Sequence, residues 1–147
     1  MKYNVRQMEI TDIEQVCEME DMIFGETLGY DMFYTELTLN PYAYYFVLDI
    51  DDEIGGYIGT WIEGDRGEVI NFCIDKEYQG MGFGKMLLSF YLELAKMSEV
   101  KTVSLEVRKS NEKAIKLYES FGFKKSHVRE NYYKDLEDAL VLVKNME

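Results

Sequence analysis

Gln79-Gly80-Met81-Gly82-Phe83-Gly84-Lys85 is the stretch on which the reading of this chain turns. It follows an apolar run, Val69-Ile70-Asn71-Phe72-Cys73-Ile74, that reads as a central strand. It leads into Gly84 to Met97, where Leu87, Tyr91, Leu94 and Ala95 recur at helical spacing. Glycines at 80, 82 and 84 remove Cβ crowding between strand and helix, so successive backbone N–H groups can approach an anion. The helix N-terminus adds positive potential there. A phosphate cradle is the functional reading, and a plain left-handed turn that starts a helix is the structural one. Met86 after Lys85, and Gln79 where a first glycine belongs, argue against a Walker loop. The mid-chain position and the 80, 82, 84 spacing argue against a dinucleotide fingerprint.

Outward from this loop the pattern is mixed. Tyr3 to Ile10 reads as an opening strand, and Thr11 with Glu14 as a capping box that starts a helix. Ile13, Val16 and Cys17, with Glu20 in register, share one face of that helix, so Cys17 reads as packing rather than as a nucleophile. A second helical stretch covers Asp31 to Leu37 before Pro41. Tyr44 to Leu48 and Ile54 to Trp61 form a hairpin across Asp51-Asp52-Glu53, and Trp61 reads as structural. Beyond the glycine loop and its helix, Lys101 to Val107 alternates apolar and polar residues as a strand with two unlike faces. Asn111 caps a helix carrying Ala114, Ile115, Leu117, Tyr118 and Phe121, and Gly122 ends it. Phe123 to Arg129 and Glu137 to Val143 close the chain as strands. The order β-α-α-β-β-β-α-β-α-β-β predicts an α/β fold in a single domain spanning residues 1–147.

At 147 residues and 47% hydrophobic the chain can bury a substantial core, and it has one proline and no low-complexity linker. A net charge of −12 argues against direct nucleic-acid or anionic-membrane binding and suits a basic partner. Two cysteines, Cys17 and Cys73, supply neither a disulfide framework nor a zinc site, so no metal is expected and a reducing cytoplasm fits. No apolar run is long enough to span a membrane.

Gln79, Gly82 and Gly84 match the Gln/Arg-x-x-Gly-x-Gly/Ala loop of the GCN5-related N-acetyltransferase (GNAT) superfamily, which this sequence resembles. Leu105-Glu106-Val107-Arg108, Ser110-Asn111, Ala114-Ile115, Leu117-Tyr118-Glu119, Gly122-Phe123 and Arg129, Asn131, Tyr132, Tyr133 look like the bacterial ribosomal-protein-S18-alanine N-acetyltransferases within it. The resemblance implies the GNAT fold, a mixed, largely antiparallel sheet of six or seven strands flanked by about four helices. It implies acetyl-CoA as cofactor and a basic protein N-terminus, S18 or a similar ribosomal protein, as partner. It also implies that Gln79, Gly80, Met81, Gly82, Phe83, Gly84 and Lys85 hold the pyrophosphate, and that a bulged, splayed strand offers Asn71, Phe72, Cys73 and Ile74 to the pantetheine arm. The family commonly carries a Pro-Trp pair where this chain has Thr27-Leu28, after Phe24.

Acetyl transfer needs a neutral amine, a held carbonyl and a stabilised leaving thiolate. Glu106, on the polar face of its strand, is the candidate base by this resemblance; a structural pair with Arg108 is the other reading. Tyr118 is the candidate acid toward the thiolate by the same resemblance, and by pattern alone it is a core tyrosine. Asn111 divides between helix capping and cofactor contact. Phe24, Asn71, Glu106, Tyr132 and Tyr133 are candidate acceptor-binding residues, and Glu18, Glu20, Asp21 and Glu26 a candidate extension of an acidic surface.

Overall fold

The structure, a computed structural model, describes residues 1–147. Its strands are β1 (Tyr3–Gln7), β2 (Ala43–Ile50), β3 (Glu53–Glu63), β4 (Arg66–Ile74), β5 (Thr102–Arg108), β6 (Lys124–Arg129) and β7 (Ala139–Asn145). Its helices are α1 (Ile13–Phe24), α2 (Tyr30–Leu39), α3 (Phe83–Met97) and α4 (Glu112–Ser120). The element order follows the sequence reading. The strands form one sheet, β1-β2-β3-β4-β5-β7-β6, in which only β4 and β5 run parallel. No helix is long and apolar enough to cross a membrane.

Strand alternation sorts side chains into two cores. Phe46, Leu48 and Ile50 of β2 meet Leu87, Leu88 and Tyr91 of α3, with Val103, Leu105 and Val107 of β5. Tyr45, Val47 and Tyr57 point to the opposite face and meet Ile13, Val16 and Met19 of α1 and Phe33 of α2. Cys17 packs against this second core, and Cys73 lies within it.

Two irregularities make the site. Gly59 pairs with Asn71 but Thr60 pairs with Val69, so Ile70 is an extra residue bulged out of β4. The bulge reverses the parity of the strand, which is why Val69 and Ile74, five residues apart, share one core. On its other side β4 pairs with β5 only from Arg66–Thr102 to Val69–Leu105. Beyond that register the two strands part, leaving Ile70 to Ile74 and Glu106 to Arg108 without each other.

The opening strand is shorter than the sequence reading, and the capping expectation at Thr11 and Glu14 is corrected. A 3-10 turn covers Ile10–Asp12 first, and Asp12 accepts the Glu9 N–H at 2.8 Å. Asp12 also takes a bidentate contact from Arg6, at 2.7 and 3.0 Å. A charged partner contributed by β1 outweighs the local pattern.

Candidate active site

Gly80 and Gly82 adopt φ of +80° and +86°, and a Cβ built at either meets nothing within 4 Å. These two glycines are required by backbone conformation and face open space. Gly84 is different: it sits in the first turn of α3, and its Cβ would lie 3.4 Å from Phe72 Cζ, so it permits close helix-to-strand packing. The first backbone bond of α3 is Met86 N–H to Gly82 O at 3.1 Å. The amides of Gly80, Met81, Gly82, Phe83, Gly84 and Lys85 donate to no carbonyl of the chain. A run of free amides at a helix N-terminus, over glycines with room in front of them, fits a pyrophosphate.

Gln79 does not face this space with its side chain; its Nε2 donates to Ile74 O at 2.9 Å and fastens the loop to the end of β4. The Phe83 ring is buried in the first core and Cys73 in the second, so each can offer a ligand only its backbone. Burial raises the Cys73 thiol pKa well above its ordinary value, with the Glu20 charge adding to it. Met81 is exposed, and the Asn111 side chain caps α4 by accepting Ala114 N–H at 3.2 Å.

Across the split, Glu106 projects from β5. The reading that pairs it with Arg108 is not what the structure holds. Arg108 Nη1 instead bonds Asp135 at 3.0 Å and Glu137 at 2.9 Å, and its guanidinium lies 4.1 Å from the Tyr133 ring centroid. Glu137 also accepts Ser110 N–H at 2.9 Å, so Arg108 pins the β6–β7 loop over the end of β5. Glu106 Oε1 stands 3.7 Å from Arg129 Nε, and its Oε2 is buried with no hydrogen-bond partner. An orphaned carboxylate oxygen inside a cleft is poised to accept a proton or an N–H from outside the chain.

Tyr118, from α4, is buried between Phe72 and Phe123, with ring centroids 6.4 and 5.8 Å away. Burial, then the neighbouring Tyr133, raises its pKa well above the usual tyrosine value, so it is a hydrogen-bond donor at neutral pH. Tyr133 is pushed up to about 12, first by burial, with the Glu106 charge adding and Arg108 opposing. The nearby Glu106 carboxylate, then burial, raises Tyr132 as well. The Glu106 charge thus acts on Tyr132 and Tyr133 of the β6–β7 loop, and Tyr133 on Tyr118 of α4, which brings the three elements together at the end of β5 that has parted from β4. Phe24 is exposed at the end of α1, across the sheet from α4.

Asn71 is committed inside the protein. Its Nδ2 donates to Glu20 Oε2 at 2.8 Å and its Oδ1 accepts the N–H of Phe72 at 2.9 Å. Glu20, expected on an acidic surface, is fully buried instead. It also accepts Thr27 Oγ1–H, Leu28 N–H and the Tyr57 hydroxyl. Sequence reasoning missed Glu20 and Tyr57, and it missed Glu68, whose pKa is raised by burial and by Glu106. The one available signal was the alignment of Glu20 with Ile13, Val16 and Cys17 on the buried face of α1.

Residues 9–123 match the model of the Acetyltransferase (GNAT) family. A Bacillus subtilis relative, provisionally named a ribosomal protein bS18-alanine N-acetyltransferase, is 42% identical over 96% of this chain and 94% of its own. An N-alpha-acetyltransferase of Sulfurisphaera tokodaii is 31% identical over 96% of this chain and 92% of its own. The crystal structure of the ribosomal-protein-S18-alanine N-acetyltransferase from Escherichia coli superposes with a TM-score of 0.91 at 28% identity, over 99% of this chain and 95% of that one. The chain belongs to the GNAT family of acetyltransferases and is an N-acetyltransferase.

Proposed function

We propose that this enzyme transfers the acetyl group of acetyl-CoA to the N-terminal α-amino group of a protein, with the alanine terminus of ribosomal protein S18 as acceptor, in the cytoplasm. The observation that carries the reading is the run of undirected amides from Gly80 to Lys85, beside a strand that has parted from its parallel neighbour. The names of the Bacillus subtilis and Escherichia coli proteins support the acceptor.

Acetyl-CoA supplies an acyl group activated as a thioester. The loop amides bind its pyrophosphate, and the free edge of β4 from Asn71 to Ile74 takes the pantetheine arm. Glu106, directly or through a water, takes one proton from the α-ammonium, and the neutral amine so formed attacks the carbonyl carbon. An α-amine has a pKa of about 7.7 to 8.0 against about 10.4 for lysine, so a modest base suffices. As the carbon–sulfur bond breaks, the Tyr118 hydroxyl donates a hydrogen bond to the departing sulfur. The nitrogen gives up two protons in all, one to Glu106 before attack and one to the departing sulfur as the carbon–sulfur bond breaks, so the products are an amide and a thiol. Phe24, Tyr132 and Tyr133 line the approach of the acceptor, and the negative charge of the chain favours a basic one.

The test is incubation with isotope-labelled acetyl-CoA and paired peptides bearing the S18 terminus, one with a free and one with a blocked α-amine. Label on the free terminus alone is expected. Label on lysine of both peptides would move the enzyme to side-chain amines. Binding of acetyl-CoA with no transfer to any amine would reduce the chain to a cofactor-binding module.

A further inference from the structure

Glu20 is a carboxylate with no exposure to solvent, and every hydrogen bond to it comes from a neutral group. Burying such a charge is costly, and for stability alone an apolar side chain of the same size serves as well or better. What the carboxylate does is join segments far apart in sequence. Its Oε1 takes Thr27 Oγ1–H at 2.6 Å and Leu28 N–H at 3.1 Å, both on the α1–α2 loop. Its Oε2 takes the Tyr57 hydroxyl of β3 and Asn71 Nδ2 of β4. Thr27 Oγ1 in turn accepts Gly29 N–H at 3.1 Å, and Asn71 Oδ1 accepts Phe72 N–H beside the bulge. With Oε1 on the loop and Oε2 on the strands, one carboxylate bridges two separate bodies.

We infer that Glu20 is a positioning residue that ties the α1–α2 loop to the bulge of β4, holding the acceptor-facing loop at a set distance from the strand edge that carries the acyl donor. The loop presents Phe24 and Leu28 to solvent, and its one other tie is an exposed ion pair of Glu26 with Lys134 of the β6–β7 loop at 3.9 Å, a weak contact that also sets the loop beside the residues around Tyr132 and Tyr133. Gly25 and Gly29, with φ of +76° and +93°, bound it and have open space around their Cβ positions. Without the Glu20 bridge, those two glycines leave the loop free to swing. Attack on a carbonyl tolerates little misplacement, so a loop that drifts by about 1 Å costs rate on the order of 100-fold without weakening donor binding. The inference rests on the acceptor binding beside this loop, as proposed above.

Two variants test it. Glu20→Gln keeps the shape but offers an N–H to one pair of donors, while Thr27→Val removes the loop's hydroxyl bond to Glu20 and, with it, the bond that Gly29 N–H donates to that hydroxyl, leaving Leu28 N–H as the readout of the Glu20 bridge. In each, backbone amide exchange is followed by mass spectrometry, with acceptor KM, kcat and the dissociation constant of acetyl-CoA measured on folded protein. Thr27→Val is expected to speed exchange at Leu28, whose N–H bonds Glu20 itself, with Phe72 unchanged, and to raise acceptor KM by about tenfold. Glu20→Gln is expected to speed exchange at Leu28, Gly29 and Phe72 together and to lower kcat/KM by about 100-fold, with acetyl-CoA affinity kept within about twofold. If Glu20→Gln does not fold, Thr27→Val carries the test. Unchanged exchange at Leu28 in Thr27→Val overturns the inference, as does faster exchange with wild-type kinetics. If wild-type enzyme acetylates a lysine or a small amine instead, the reading of the acceptor fails, and the same KM comparison with that amine decides the role of Glu20. If wild-type enzyme acetylates nothing, the positioning role falls with the transfer it serves.

Discussion

Glu106 and Tyr118 reach the cleft by different routes, and the difference sets what each substitution does. Glu106 is held on a strand, with one oxygen near Arg129 and the other unpartnered. Glu106→Gln keeps that shape and removes the proton acceptor, so kcat should fall by about 100-fold or more with acetyl-CoA affinity little changed. Steady-state rates beside calorimetric binding check this, and wild-type turnover would return Glu106 to a structural role. Tyr118→Phe loses only a hydroxyl whose pKa burial holds high, so the packing against Phe72 and Phe123 survives while kcat falls by about tenfold or more at neutral pH. The two residues were unequally legible. Alternation placed Glu106 on the polar face of its strand, but pattern alone made Tyr118 a core residue, and its burial agrees with that pattern as well as with a catalytic role. Glu20 was illegible because its partner Asn71 is 51 residues away, and helical spacing tells which face a residue occupies but not what waits there.

Elements were legible where local signals had no competitor. The stop at Gly122 and the cap at Asn111 stand where the sequence placed them, since φ of +92° and an Asn side chain within reach of Ala114 are local matters. The cap on α1 was displaced because Arg6 arrives from β1. The bulge at Ile70 has no local signal of its own; it was expected only through the family resemblance. For the glycine loop the physical argument is specific. Gly82→Val puts a branched side chain at φ of +86° and into the space before the free amides, so acetyl-CoA affinity should fall by about tenfold or more. Calorimetry on folded protein checks it, with Gly64→Ala, at a left-handed turn distant in sequence from the loop, as the comparison.

At the scale of the whole molecule, composition bears on the kind of partner proposed above but not on the shape of the sheet. A charge of −12 would draw in the basic acceptor proposed above before contact, and salt screens such an attraction. Acceptor KM should therefore rise by about threefold or more between about 50 and about 300 mM salt while acetyl-CoA affinity changes less, as titrations at each salt concentration would show. A KM independent of salt would mean that charge plays no part in recruitment. Strand order was beyond the sequence, because β6 and β7 follow one another in the chain yet β7 alone pairs with β5.

That insertion sets a schedule for biosynthesis. Glu106 is translated well before Val141, which lies opposite it across the β5–β7 pair. Until the stretch Ala139–Asn145 has cleared the ribosome's exit tunnel, β5 lacks one of its two neighbours and β6 has none at all. A nascent chain can therefore assemble the proposed donor-binding half early, while the strand that carries Glu106 stays incomplete until that late segment slots into the middle of the sheet.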